Sequence, residues 1–153
     1  MSTMTDKNQK PKYDNVRGLV QDLSELLDSR MQQFRHGTEH DWIRPSDAKM
    51  FMLIARHSRT LSQLASALKI SRQAAHSSIK RLIEKGMIEL DYVPGNKRDK
   101  TPTITAKGQA ARGIAASHIG RLEREMIDVL GEQKTETLRG LLKELSDGLK
   151  QPI

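Results

Sequence analysis

Apolar residues recur at steps of three and four along residues 14 to about 36, at Val16, Leu19, Val20, Leu23, Leu26, Leu27, Met31 and Phe34. A stripe with that period predicts one long amphipathic helix. The segment HGTEHDWIRP interrupts it, with Gly37 and Pro45 as punctuation. Ser46 is then placed to cap a second helix through about His57, carrying Met50, Phe51, Leu53 and Ile54. A short third helix follows. Thr60 and Gln63 have capping-box spacing, in which hydroxyl and amide satisfy free backbone N–H groups reciprocally, and Leu61, Leu64, Ala65 and Leu68 supply its buried face. Only Lys69 and Ile70 separate it from Ser71, which is suited to cap a fourth helix. There Ala75, Ile79, Leu82 and Ile83 are expected to point inward. Lys85 complements the negative helix end, and Gly86 can take the left-handed terminating conformation.

From Met87 the period changes to two. Ile88, Leu90 and Tyr92 alternate with Glu89, Asp91 and Val93, the turn-forming PGNKRDKTP follows, and TPTIT can return as a second strand. Thr105 caps another long helix with Ile114, Ile119, Leu122, Met126 and Leu130 along one side. A last helix from about Glu132 places Leu138, Leu141, Leu142, Leu145 and Leu149 on a further stripe. The predicted fold is mainly α. A winged helix-turn-helix with a small β-hairpin wing is flanked by long helices at both chain ends.

Two helices joined by a tight turn and followed by a hairpin with a charged tip suit DNA recognition. The first helix braces the second, whose N-terminal residues reach base edges in a major groove. On the outward face of that second helix, Gln73 suits adenine, Ala74 suits a thymine methyl, and Arg72, Lys80 and Arg81 suit guanine or phosphate. His76 and Ser77 can make either kind of contact, and Ser71, Thr60 and Ser62 lie at the helix starts. At the hairpin tip, Asn96, Lys97, Arg98 and Lys100 can meet phosphates or the adjacent minor groove.

Charge sharpens the picture. The net charge of the 153-residue chain is +7, and residues 56–112 carry 12 Lys and Arg against 4 Asp and Glu. Both flanks are close to balance. A basic block confined to the helix-turn-helix and its wing attracts polyanions, nucleic acid first. Cysteine is absent, which excludes disulfides and thiolate metal sites and fits a cytoplasmic address. The longest apolar run, Met50 to Ala55, is too short to span a bilayer. The first residues show no hydrophobic stretch after their charges and are expected to form a basic arm.

From about residue 46 to 108 the sequence resembles the MarR family of bacterial transcription regulators. The matching elements are PSDAKMFML, the helix pair TLSQLASALKISRQAAHSSIKRLIEKGMIEL, and the closing ITAKG. Leu82, Lys85, Gly86, Met87 and Ile88 match the way the family ends its recognition helix, and Ile104, Thr105 and Gly108 match the end of its wing. The family's wing Asp-x-Arg falls on Asn96, Lys97 and Arg98, so the arginine is kept and its acidic partner is not. Ser78 also departs from the family, which places a larger apolar residue there, and a loss of core packing is expected.

The resemblance implies a homodimer formed by helices from both chain ends, and the apolar stripes there agree with it. The segments are then a basic arm at 1–12, a dimerisation helix and linker at 13–45, the DNA-binding domain at 46–108 and dimerisation helices at 109–153. The family often binds small aromatic or anionic effectors between its lobes, for which Phe34, Trp42, Arg44 and Phe51 are the candidates. His36, Glu39, His40 and Asp41 do not form a convincing metal set, because Gly37 separates the histidines and no thiolate is available. No cofactor is implied. No nucleophile-base grouping or phosphate-binding glycine loop argues for an enzyme. The expected function is sequence-specific binding of double-stranded DNA as a ligand-responsive repressor on a pseudo-palindromic operator. The alternative is a winged-helix module that binds protein without specific DNA binding.

Overall fold

The computed structural model describes residues 14–57, 59–92, 95, 100–150 and 152. Six helices and one hairpin follow in the order α1 (Val16–Arg35), α2 (Pro45–Arg56), α3 (Leu61–Leu68), α4 (Arg72–Glu84), β1 (Ile88–Tyr92), β2 (Lys100–Ile104), α5 (Ala106–Leu130) and α6 (Glu132–Leu149). The basic arm at 1–12 and the wing-tip residues Asn96, Lys97 and Arg98 lie outside the described residues.

Local chemistry sets most boundaries. Thr60 Oγ1 accepts from the Gln63 N–H at 3.3 Å while Gln63 Oε1 accepts from the Thr60 N–H at 2.9 Å, the reciprocal cap that their spacing predicts. Ser71 Oγ accepts from the Ala74 N–H at 3.0 Å and opens α4. Between them the chain turns through Lys69, which is left-handed at φ 54°. Gly86, at φ 72°, ends the α4 region as expected. One boundary differs: α2 starts at Pro45, with Arg44 as the flanking residue. Ser46 therefore lies inside the helix and does not cap it. Proline is well suited to that first position, where its missing N–H has no helical partner to lose.

The core lies where α2, α3 and α4 meet the base of the hairpin and the start of α5. Met50 and Ile54, Leu64 and Ala65, Ala75, Ile79 and Leu82, Met87, Ile88 and Ala111 form one buried cluster. Ile83 does not join it. It is 39% exposed, one residue past the inward face that Leu82 ends. The strands pair antiparallel with Ile88 opposite Ile104 and Tyr92 opposite Lys100. Thr105 ties the base of this hairpin to α5. Its hydroxyl donates to the Gly86 carbonyl at 2.5 Å and accepts from the Gly108 N–H at 3.1 Å, and its own N–H reaches the Met87 carbonyl at 3.1 Å.

α6 contacts α5, and α1 packs on α5. Arg30 meets Glu125 at 2.9 Å, and the Arg121 guanidinium lies 4.1 Å from the centre of the Phe34 ring. Much of the apolar stripe on these helices stays in solvent. Val16 is 68% exposed and Leu26 66% on α1, while Leu141 and Leu149 on α6 are 57% and 77% exposed.

Among the described glycines, Gly108 makes the tightest approach to its neighbours. A Cβ there would overlap the Met87 carbonyl oxygen and come within 2.7 Å of Ile104 Cγ2. This explains physically why the wing-closing pattern ends in glycine. Gly108→Ala is expected to lower stability by about 1–3 kcal/mol in urea unfolding, the usual cost of overpacking against a fixed backbone.

Candidate nucleic-acid interface

α4 projects from the core with three faces of different chemistry. Ala75, Ile79 and Leu82 are buried against α2 and α3. Arg72, Gln73, Ala74, His76, Ser77 and Lys80 are all exposed on the opposite side, together with the capping Ser71. Lys80 makes a surface contact of 3.9 Å to Glu84. The outward direction that helical spacing predicts holds for those residues. Ser62 is also exposed, and Thr60 is half-buried, its hydroxyl committed to the α3 cap. Lys100 begins β2 and is exposed.

The third face carries the corrections. Arg81 does not extend outward with Lys80. It turns onto Asp47 of α2, with Nη2 at 2.7 Å from Oδ1 and Nε at 3.1 and 3.3 Å from the two carboxylate oxygens. Ser78 donates to the same Oδ1 at 2.7 Å. The Arg44 N–H completes the set, 3.2 Å from Oδ2. Ser78 is therefore no packing defect: a small hydroxyl replaces apolar bulk because a carboxylate needs a donor there. Asp47 itself has no solvent exposure. Burial alone would raise its pKa; the hydrogen bonds from Arg81, Ser78 and the Arg44 N–H, with the Arg81 charge, outweigh that and hold it below the ordinary carboxylate value.

Asp47 was not singled out in the sequence, because an aspartate in the first turn of a helix reads as an ordinary dipole partner. The available signal was a pairing of oddities: a serine at an inward position of α4 and an acid at the start of α2. Only their approach across 31 residues joins them.

A second feature lies beneath the interface, where α1, α2 and α5 converge. A cavity of about 290 Å³ is walled by apolar side chains, including Met31, Phe51, Met52, Ile114 and Ile119, with Arg35, Arg56, His40, His118 and the paired Asp47 at its polar points. Of the four residues expected to hold an effector, only Phe51 lines it. Phe34 is buried instead against His118, ring centres 5.7 Å apart, and under Arg121. The Trp42 ring carries Lys85 Nζ at 5.5 Å. The Arg44 side chain is exposed before α2. These three are not among the residues that line the cavity. Arg35 does line the cavity. It is 7% exposed, Nη2 donates to the Ile43 carbonyl at 3.3 Å, and the buried Nε has no hydrogen-bond partner among the described residues. Burial lowers its pKa from the ordinary arginine value, against an opposing pull from Asp28. His118 is likewise lowered, first by burial and then by the charges of Arg35, Arg121 and His40. His36 and Asp41 approach within 3.7 Å on the surface, while His40 is buried and 3.9 Å from Glu39.

A bracing helix, a projecting polar helix and a hairpin on one core define a winged helix-turn-helix protein. The model of the MarR family matches residues 43–99, from the loop before α2 to the wing. Solved structures share the fold over most of their length. Wild-type MarR from E. coli superposes with a TM-score of 0.75 at 21% identity, over 87% of this chain and 97% of that one. A probable transcriptional regulator from Pseudomonas aeruginosa gives 0.67 at 19%, over 86% and 97%. Streptococcus pneumoniae FabT, crystallised in complex with DNA, gives 0.66 at 18%, over 88% and 94%. No curated protein sequence matches the chain significantly. Residues 43–99 thus match the MarR family model, and the chain has the fold of the MarR structures. No described helix is long and apolar enough to cross a membrane.

The buried pair makes two measurable demands. Asp47→Ala removes the shared acceptor of Ser78, Arg81 and the Arg44 N–H and is expected to cost about 1–3 kcal/mol in denaturant unfolding, the range for leaving buried donors unpaired. The advantage of wild type over Asp47→Asn depends on pH. A carboxylate with a depressed folded pKa contributes fully above its ordinary value of about 4 and loses that contribution as pH falls through the lowered folded value. Thermal melts from pH 7 downward are expected to keep a constant gap to about pH 4 and to converge below it.

Proposed function

We propose that this protein is a homodimeric transcription regulator that binds double-stranded DNA in a sequence-specific manner and acts as a ligand-responsive repressor. The observation that carries the reading is the exposed face of α4, where Arg72, Gln73, His76, Ser77 and Lys80 stand clear of the core on a helix braced by α3. Gln73 offers the amide geometry that pairs with adenine, and the cations at 72 and 80 suit guanine or phosphate. Thr60, Ser62, Ser71 and Lys100 flank this face and supply backbone-directed contacts. Asn96, Lys97 and Arg98 extend the same reading to the wing tip. FabT, which shares the fold, was crystallised with DNA.

Dimerisation is supported by the uncovered stripes at both chain ends. Val16, Leu19, Val20 and Leu23 on α1, and Leu141, Leu142, Leu145 and Leu149 on α6, are each more than two-fifths exposed. Burial returns about 25 cal/mol per Å² of apolar surface, so a second copy covering both stripes gives a strong interface. A twofold dimer reads half-sites about one helical turn, ~10 bp, apart. Repression then follows from occluding a promoter, and release from an effector that favours a different spacing of the two α4 helices. The cavity beside Arg35 suits a small amphipathic anion, with apolar walls for its body and a buried guanidinium whose Nε has no hydrogen-bond partner among the described residues.

Fluorescence-anisotropy titrations on duplexes test the DNA reading. Arg98→Ala is expected to weaken all duplexes alike, whereas Gln73→Ala also changes preference at one base pair, by about 1–3 kcal/mol. Affinity should fall steeply with salt; a flat salt response points to the protein-binding alternative. The effector reading is tested by titrating benzoate-type acids while following Trp42, the single tryptophan, which adjoins the cavity-lining Ile43. A change in emission that Arg35→Met abolishes is expected, and no change with any such acid would sink the effector assignment.

A further inference from the structure

We propose that Asp47 is a positioning residue for base reading: through Ser78 and Arg81 it sets the roll of α4 about its own axis, and it withholds the Arg81 charge from the phosphate backbone. This rests on the DNA-binding reading above and deepens it. At 100° per residue, Gln73, His76, Ser77 and Lys80 share an arc of about 100°, and Ser78 and Arg81 lie about 150° and about 90° around the helix from its centre. A contact that fixes positions 78 and 81 therefore fixes where the reading face points.

Apolar packing alone fixes this roll weakly. Two of the four buried residues of α4, Ala75 and Ser78, are small, so its ridge is shallow there where the helix packs on the core. Burial of apolar surface is also non-directional. Hydrogen bonds to a carboxylate are directional, and Asp47 has no exposure to water that could replace a lost partner. A rotation of α4 that carried Ser78 and Arg81 away would strand a buried charge, which is far costlier than sliding a methyl group. The carboxylate is itself anchored at the start of α2 by the Arg44 N–H, so the reference point is rigid. The same pairing leaves Arg81 30% exposed at its side chain and neutralised by a partner 2.7 Å away. It holds back one cation from the most basic part of the chain.

The test is selection of binding sites from a library of random duplexes, followed by salt titrations on a selected and a scrambled duplex. Wild type is expected to enrich a consensus. Asp47→Asn, checked for folding by circular dichroism, is expected to lose about tenfold or more in discrimination between the two duplexes, the worth of one or two base pairs. On the scrambled duplex its slope of log affinity against log salt should steepen by about 0.9, as released Arg81 takes one more phosphate. A merely destabilised fold would not steepen that slope. Ser78→Ala keeps the ion pair and removes one anchor, so discrimination should fall with the slope unchanged. Unaltered discrimination and slope in a folded Asp47→Asn overturns the proposal, as does unaltered discrimination in Ser78→Ala should Asp47→Asn fail to fold. A wild type that enriches no sequence and ignores salt overturns the DNA reading itself, and this inference with it.

Discussion

A carboxylate with no access to water is tolerable only when its lone pairs are filled, and Asp47 meets that condition by drawing donors from two helices. Arg44 supplies a backbone N–H from the start of α2, and α4 supplies Ser78 and Arg81. The arrangement of the winged region depends on this constraint, since the α2–α4 contact is where the core meets the exposed polar face of α4. Met50, sealed completely beside it, and Leu82, 1% exposed, contribute the apolar burial. The carboxylate selects among the ways such burial can be achieved. Replacing the set with apolar residues of equal volume could well stabilise the protein, so the value of the pair lies in geometry.

The hairpin is joined to the same core by a related economy of groups. Thr105 uses one hydroxyl twice, as donor to the end of the α4 region and as acceptor for the first turn of α5. Gly108 lets α5 come so near to Met87 that no side chain fits. The wing, the recognition helix and the first long terminal helix thus meet within a few residues. The cavity beside Arg35 lies on that junction, with Leu82 and Met87 in its wall.

The local elements were legible along the chain because each is set by short-range chemistry. Thr60 with Gln63, Ser71 before α4, Gly86 after it, the change of period at Met87 and the start of α6 at Glu132 all stand where pattern and capping place them. The outward face of α4 was legible for the same reason, since helical periodicity converts spacing directly into direction. Its edge was not. Arg81 and Ile83 border the inward face, and at a border the period alone cannot say which way a long side chain turns.

What the sequence by itself determined is therefore the elements, their order, the basic middle segment and the family resemblance carried by the recognition helix and the wing. The tertiary structure decided which polar groups meet: that Arg81 pairs with Asp47, that Ser78 is a donor, and that Arg35 lines the cavity while Phe34, Trp42 and Arg44 do not. Periodicity and caps act within one turn of helix, whereas these pairings join residues more than 30 positions apart for Ser78 and Arg81, and depend on how two helices pack. Packing distance has no counterpart in spacing along the chain.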